Sequence, residues 1–212
     1  MKKLSILFVA VMMMSVGTIA SAQYKSSASG GKQYVSPNTF NTFWAGYAPT
    51  TMKSGSISYT GFETFFVGMT HVSPLSGSPL LLEYGGYIDW SNKTTKEKSS
   101  KYSIDFFDVK APVNVIYPLQ VGDTFTLLPY AGLHGRAFVV GKTTYKYSDY
   151  VETDDFFDDN DVKRITLGYQ VGVRAQFAKF IAGIGYEDML TSMSSDVDVK
   201  VNYLTLYVGF PF

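Results

Sequence analysis

The sequence predicts an all-β fold, an eight-stranded antiparallel up-and-down transmembrane β-barrel, and three observations support this prediction. Between Thr39 and Phe212, apolar residues recur at every second position in eight segments, which is the period of a strand with one face out of water. Aromatic residues make up 16% of the 212 residues, with 19 glycines and no cysteine. The connections between the segments alternate between long and short, as in barrels that cross a bacterial outer membrane.

The N-terminal segment has the three parts of a secretory signal peptide. Lys2 and Lys3 precede a mostly apolar run over residues 4–19, and small residues follow as far as Ala22. This pattern predicts cleavage between Ala22 and Gln23. A membrane helix is the alternative, but the run is shorter than the ~20 apolar residues of a spanning helix and no stop-transfer pattern follows it.

The rest of the chain is predicted to hold one domain behind a short leader. Residues 23–38 are rich in Ser, Gly and Lys without periodicity, which predicts a flexible leader, and the barrel domain is expected over residues 39–212. The chain has 18 basic and 18 acidic residues, so removal of the two lysines of the signal peptide leaves a small acidic excess. This balance argues against nucleic acid as a partner.

The eight predicted strands show the alternation to different degrees. In the last one, Leu204, Leu206, Val208, Phe210 and Phe212 form one continuously apolar face. The first two segments are aromatic and β-prone, but their two faces are less separated. The predicted strands are residues 40–49, 62–70, 80–90, 109–117, 125–139, 165–177, 180–186 and 203–212.

The connections predict which end of the barrel faces the cell exterior. Long loops are expected around residues 52–58, 91–101, 142–161 and 187–197, and shorter turns around residues 73–79, 120–123 and 178–179. If both termini lie in the periplasm, the long loops all lie outside the cell. An even number of strands also closes a ring without leaving an unpaired edge in lipid.

Four motifs resemble the PorT-like outer-membrane β-barrel family in their order and spacing. They are DVKAPVNVIY at residues 108–117, LPYAG at 128–132, GYQVGV at 168–173 and GYEDML at 185–190. Lys110 departs from the family pattern, which more often has an apolar residue there. The resemblance implies an eight-stranded barrel inserted by the outer-membrane assembly machinery, without an enzymatic activity common to the family. Within it, Val208, Phe210 and Phe212 look like the C-terminal signal that this machinery reads.

Alternation places a set of polar residues on the inward face of the predicted barrel. The interior of an eight-stranded barrel is only wide enough to be filled by side chains, so these groups are expected to pair with one another. A packed structural plug is the favoured interpretation, and a narrow, gated or low-conductance pore is the alternative. The predicted inward residues are Glu83, Asp89, Asp108, Lys110, Asn114, His134, Arg136, Gln170, Arg174 and Gln176.

His134 and Arg136 are the natural candidates for catalysis, but we expect no enzyme, no cofactor and no metal centre. Some outer-membrane barrels modify lipids with a histidine, a serine and an acid. Such a site opens toward lipid or the outer surface, whereas His134 is predicted to lie inside and His71 near a periplasmic turn. The chain also lacks a phosphate-cradling glycine loop, zinc-ligand spacing and a nucleophile elbow.

Two of the predicted outer loops are strongly charged. The acidic loop holds seven carboxylates within residues 149–161, but it lacks the glycine and the terminal glutamate of an EF-hand. It is either a solvated surface loop or a contact for divalent cations that bridge lipopolysaccharide phosphates. The basic loop carries Lys93, Lys96, Lys98 and Lys101, which meet the acidic loop or lipid phosphates or are simply solvated.

These observations favour a structural or porin-like outer-membrane protein with a narrow, plugged polar lumen. Its expected partners are outer-membrane lipid, lipopolysaccharide and the assembly machinery, and no protein partner is indicated. The alternative is a component of a secretion or adhesion assembly that acts through the outer loops or the leader. A lipid-modifying barrel enzyme is the third hypothesis.

Overall fold

The structure is a computed structural model, and it describes residues 39–97, 100–121, 125–147, 150–157, 162–177 and 179–212. The predicted signal peptide (residues 1–22), its cleavage site between Ala22 and Gln23, and the leader (residues 23–38) lie outside the described residues. The same holds for Lys98 of the basic loop, for Asp149 and residues 158–161 of the acidic loop, and for parts of two short turns, residues 122–124 and Ala178.

Ten β-strands make up most of the described chain. They are β1 (Phe40–Ser54), β2 (Ile57–Pro74), β3 (Leu81–Glu97), β4 (Ser100–Ile116), β5 (Leu119–Gln120), β6 (Phe125–Tyr147), β7 (Tyr150–Asp155), β8 (Ile165–Phe177), β9 (Phe180–Met189) and β10 (Val199–Pro211). Within the described residues, no helix is long and apolar enough to cross a membrane.

Eight of these strands form a closed antiparallel ring, which confirms the predicted fold. The ring runs β1, β2, β3, β4, β6, β8, β9 and β10, and β10 pairs with β1 to complete it. The two remaining strands, β5 and β7, pair with β6 and, within the described residues, with no other strand. Each ring strand therefore has a partner on both edges. The backbone N–H and C=O groups, which lipid cannot hydrogen-bond, are satisfied by the neighbouring strands.

The two ends of the barrel differ in how the strands are joined. At one end, which we call the turn end, β1 begins beside the end of β10, and Asn41 and Phe212 exchange two backbone hydrogen bonds of 3.2 and 2.9 Å. A short turn joins β2 to β3 there, with Gly77 at a φ of 71°. At the other end, the hairpin end, β1 joins β2 through a turn at Gly55, whose φ of 56° suits glycine.

Much of three predicted outer loops is strand, so their prediction as loops is wrong. Residues 52–58 complete β1 and β2 on either side of Gly55. Most of residues 91–101 continues β3 and β4, and residues 142–147 continue β6, onto which β7 folds back. Most side chains of these extensions are polar, so the alternation that reveals a strand is weak there. They project beyond the rest of the barrel as paired hairpins.

The outward face of the barrel is an apolar band with aromatic borders. Phe65 and Trp90 stack at 6.2 Å on the side of the hairpin end, and Phe177 and Phe180 stack at 5.1 Å on the side of the turn end. Exposed aliphatic side chains lie between these borders, among them Val67, Ile88, Val113, Leu133, Val171, Ile184 and Leu206. A surface of this kind is stable in lipid, with the rings at the two interfaces.

The inward face is divided into three layers. An apolar layer at the turn end consists of Phe40, Val72, Leu81, Ile116, Leu128 and Ile181. A second apolar layer at the hairpin end consists of Met52, Phe62, Ile104, Phe106, Phe138, Phe157, Met189, Met193 and Val201. The charged and polar residues lie between the two apolar layers.

Candidate functional site in the barrel interior

The middle layer contains all ten residues that the alternation placed inside. Each of them is buried, with at most 9% of its surface exposed. They lie on the inward faces of β3, β4, β6 and β8. Eight of the ten side chains belong to two connected groups, one around Arg174 and one around Arg136.

The first group is a bidentate ion pair between Arg174 and Glu83. Arg174 Nη1 and Nη2 donate to the two carboxylate oxygens of Glu83 at 2.7 and 2.8 Å. The two residues lie on β8 and β3, which are not neighbours in the ring, so this pair spans the lumen. The geometry is the parallel fork that guanidinium and carboxylate groups favour.

Neutral side chains complete the coordination of Glu83. Thr70 and Asn114 donate to its two oxygens at 2.8 and 2.7 Å. Trp44 Nε1 donates to Thr70 Oγ1 at 2.7 Å, and Gln170 Nε2 donates to Asn114 Oδ1 at 2.6 Å. Glu83 therefore lies in a connected network, as a carboxylate withdrawn from water requires.

Aromatic rings surround the guanidinium of Arg174. Its Cζ lies 4.6 Å from the ring centre of Trp44 and 4.3 Å from that of Tyr130. Its Nε donates to the Tyr207 hydroxyl at 3.3 Å, and that hydroxyl donates to Tyr130 at 2.9 Å. The electron-rich ring faces replace part of the hydration that the cation loses inside the barrel.

The second group gathers three carboxylates around Arg136. Its Nη1 contacts both Asp89, at 2.8 Å, and Asp108, at 2.6 Å, and its Nη2 contacts Glu187 at 3.2 Å. Glu187 also binds Lys110 Nζ at 2.6 Å. One guanidinium thus connects β3, β4 and β9 to β6 across the interior.

The buried charges of the described residues do not balance. Four carboxylates (Glu83, Asp89, Asp108 and Glu187) face three cations (Lys110, Arg136 and Arg174). The excess lies at Asp89 and Asp108, which are directly opposite one another on β3 and β4. One oxygen of each has no hydrogen-bond partner in the described part of the chain. Like charges directly opposite in a sheet repel, so this pair is the strained point of the network.

The environment of His134 does not resemble a catalytic triad. The side chain is buried, and its Nδ1 has no hydrogen-bond partner among the residues that the structure describes. The orienting acid that a triad histidine needs is therefore not in place there. The imidazole instead packs against the backbone of β8, where a Cβ on Gly168 would collide with its Nε2.

Glu187 is the main member of the interior that the sequence analysis missed. The sequence predicts a loop over residues 187–197, but β9 continues through Glu187 to Met189. The signal was present, because extending the alternation of Phe180, Ala182, Ile184 and Tyr186 by one residue places Glu187 inside. Four other interior residues were missed because the inward faces of their strands carry aromatic or hydroxyl groups and no charge. They are Trp44, Thr70, Tyr203 and Tyr207.

The middle layer contains a small void. A cavity of about 20 Å³ lies between the two charged groups and is lined by residues that include Lys110, Gln170, Arg174 and Glu187. A volume of this size holds a single water molecule. The two apolar layers lie on either side of it.

The described part of the acidic loop splits into two environments. Asp154 and Asp155 are exposed, and Asp155 lies 3.4 Å from Arg164. Phe156 and Phe157 turn inward instead, and both rings pack against Phe106 of the apolar layer. Within the described residues, no group of three His, Cys, Asp or Glu side chains could hold a metal ion.

A closed eight-stranded ring with an apolar, aromatic-bordered exterior and a polar interior is the architecture of bacterial outer-membrane barrels. The protein is an outer-membrane β-barrel.

No family model matches the chain, and no curated protein matches it. Solved structures do show similarity. The Ail attachment invasion locus protein of Yersinia pestis is 17% identical, covering 82% of this chain and 99% of its own, with a TM-score of 0.49. Neisserial surface protein A (NspA) is 15% identical, covering 81% and 97%, with a TM-score of 0.45. The outer membrane enzyme PagL is 13% identical, covering 81% and 99%, with a TM-score of 0.49.

Proposed function

We propose that the protein is a non-conducting structural barrel of the outer membrane that presents its hairpins outside the cell. The observation that carries this proposal is the filled interior, in which paired charges lie between two apolar layers. Ions would have to enter both apolar layers and break the Arg136 and Arg174 groups to pass. Packing of this kind in a small barrel favours a plugged lumen over a porin-like channel.

The biogenesis that we propose follows the resemblance to PorT-like barrels. Val208, Phe210 and Phe212 all point outward at the end of β10 and are exposed. Outward exposure makes these side chains accessible to the assembly machinery and to outer-membrane lipid. With both barrel termini at the turn end, that end lies in the periplasm and the hairpins meet lipopolysaccharide at the cell surface.

Planar-bilayer recording tests the plug. The purified barrel is expected to give no stable conductance steps above the baseline, because buried apolar side chains fill the interior at both ends of the charged layer. A gel-mobility shift between unheated and heated samples verifies that the protein in the same membranes is folded, and a water-filled porin serves as the positive control. Reproducible single-channel steps from the folded protein would refute the proposal.

An adhesion or secretion partner is the second candidate function, and exposed tyrosines on the hairpins favour it. Tyr145, Tyr147 and Tyr150 are 48%, 62% and 63% exposed on β6 and β7. Tyrosine is enriched in protein interfaces because it combines a large apolar ring with a hydroxyl. We place a lipid-modifying enzyme last, because His134 lies inside the barrel and away from lipid.

Co-purification from native membranes tests this second candidate. Replacing the three tyrosines by serine is expected to abolish recovery of a specific partner while leaving the barrel folded, since none of these side chains lies in the interior. The corresponding Tyr→Phe variant keeps the rings and is expected to retain most of the recovery. Equal recovery with the serine variant would exclude the tyrosines as the contact.

A further inference from the structure

The hairpin end carries a small sheet that projects beyond the apolar band. It is formed by residues 92–97 of β3, 100–105 of β4, 142–147 of β6, and β7, and we call it the projecting sheet. Residues directly opposite on neighbouring antiparallel strands share a face. The outward face of the projecting sheet, continuous with the lipid-facing side of the barrel, can therefore be followed row by row from the pairing register.

Neither of the first two rows above the apolar band carries an excess of positive charge. In the first, Asn92, Asp105, Lys142 and Asp155 are opposite one another in order, so that the lysine lies between two carboxylates. Asn92 also donates to Asp105 at 2.7 Å. In the second row, Thr94, Ser103, Thr144 and Thr153 carry only hydroxyl groups.

The third row consists of three lysines side by side. Lys96 on β3 is opposite Lys101 on β4, which is opposite Lys146 on β6. All three side chains are exposed, and none forms an ion pair within the described residues. At the usual spacing of about 4.8 Å between strands, the row places three ammonium groups within roughly 10 Å. Like charges directly opposite destabilise a sheet, so the row reduces the stability of the projecting sheet.

The height of the lysine row above the membrane indicates what it meets. Phe107 is an outward residue at the border of the apolar band, and Lys101 lies about 20 Å further along the same strand at ~3.3 Å per residue. For a strand tilt of about 40°, this corresponds to roughly 15 Å of height. The headgroup layer of a bilayer is only about 5–8 Å thick on each side. The row therefore lies at the level of sugars that extend from the outer leaflet.

We propose that Lys96, Lys101 and Lys146 form a binding site for the phosphate groups carried by the core saccharide of lipopolysaccharide. Lysine ammoniums bind phosphate as point charges and need no fixed geometry, which suits a saccharide with several phosphates. Bound phosphates remove the repulsion along the row, so binding and the stability of the projecting sheet are coupled. This inference rests on the proposed function, which places the hairpins outside the cell.

The test is a titration of the folded barrel in micelles with two forms of rough lipopolysaccharide, one with a phosphorylated core and one lacking the core phosphates. The wild-type protein is expected to bind the phosphorylated form at least tenfold more tightly, and the preference is expected to weaken with salt. The K96Q/K101Q/K146Q variant is expected to lose the preference. The matched control K53Q/K163Q/K179Q changes the net charge equally at three other exposed lysines and is expected to keep it.

Two outcomes would overturn the inference: equal binding of both lipopolysaccharides by the wild-type protein, or an equal loss of preference in the two triple variants. Without lipopolysaccharide, K96Q/K101Q/K146Q is expected to unfold at a higher urea concentration than the wild type, because the repulsion is removed. A lower midpoint would also count against the inference. Surface biotinylation of intact cells reports the orientation separately, so failure of the proposed function is distinguished from failure of the lysine site.

Discussion

Replacing Arg136 with methionine is expected to lower the free energy of unfolding by ~3–5 kcal/mol, the usual result of removing one partner from a buried ion pair. The change leaves Asp89, Asp108 and Glu187 with Lys110 as the remaining nearby cation, and the side chains of all four are at most 5% exposed. Urea unfolding of the refolded barrel in lipid vesicles measures this loss. Trp44 inside and Trp90 outside provide fluorescence signals from both faces.

Two control variants show whether the effect comes from buried charge. Asp108→Asn removes a negative charge from the group from which Arg136→Met removes a positive one. It is expected to cause no loss of stability, because it removes the unbalanced carboxylate and keeps a hydrogen-bonding amide. Arg164→Met breaks a pair whose arginine side chain is 38% exposed, and it is expected to cost at most ~1 kcal/mol. If Arg136→Met lowers the free energy of unfolding no more than Arg164→Met does, the interior is hydrated and the proposal of a plugged lumen is wrong.

Replacing Arg174 with methionine is expected to have a similarly large effect, about 3–5 kcal/mol, because it leaves Glu83 charged and fully buried. The double variant E83Q/R174M is expected to recover much of this loss. Its glutamine keeps hydrogen-bond contacts to Thr70 and Asn114 without a charge that needs a counterion. Unfolding free energies of both single variants and the double variant form the cycle that measures the coupling.

The surface pair of Lys200 and Asp198, at 3.2 Å with both side chains more than a third exposed, provides the reference for this cycle. Its own cycle, with Lys200→Met and Asp198→Asn, is expected to give a coupling near zero. Additive effects of Glu83→Gln and Arg174→Met would contradict the bidentate pair that spans the lumen.

The membrane-embedded part of the barrel could be predicted because one simple rule governs it. Outward positions must be apolar in lipid and inward positions are free to be polar, so the alternation along residues 109–117 and 165–177 separates the two faces. Glu83 and Arg174 could be assigned to the interior on this basis. Their pairing with each other could not, since it depends on how strands distant in sequence face one another across the lumen.

The regions that were predicted incorrectly are those where the rule stops applying. Above the apolar band both faces of β3, β4 and β6 are wet, so Lys96, Lys101 and Lys146 carry no periodic signal although they lie in strands. Phe156 and Phe157 were read as part of an acidic loop, because nothing local indicates that they reach back to Phe106. The three-lysine row follows only from the register of three strands.

The ion pair between Arg174 and Glu83 also limits the order in which the barrel can be completed. The two residues are 91 positions apart in the chain, so the pair forms only when strands from both halves are already in their final register. Until then each charge needs water, and a partly assembled sheet must keep its concave side open to solvent. A strand that slips by one residue moves a charge such as Arg174 into lipid. The buried charges therefore penalise misregistered intermediates, and they favour release into the bilayer only after the last seam, between β10 and β1, has closed.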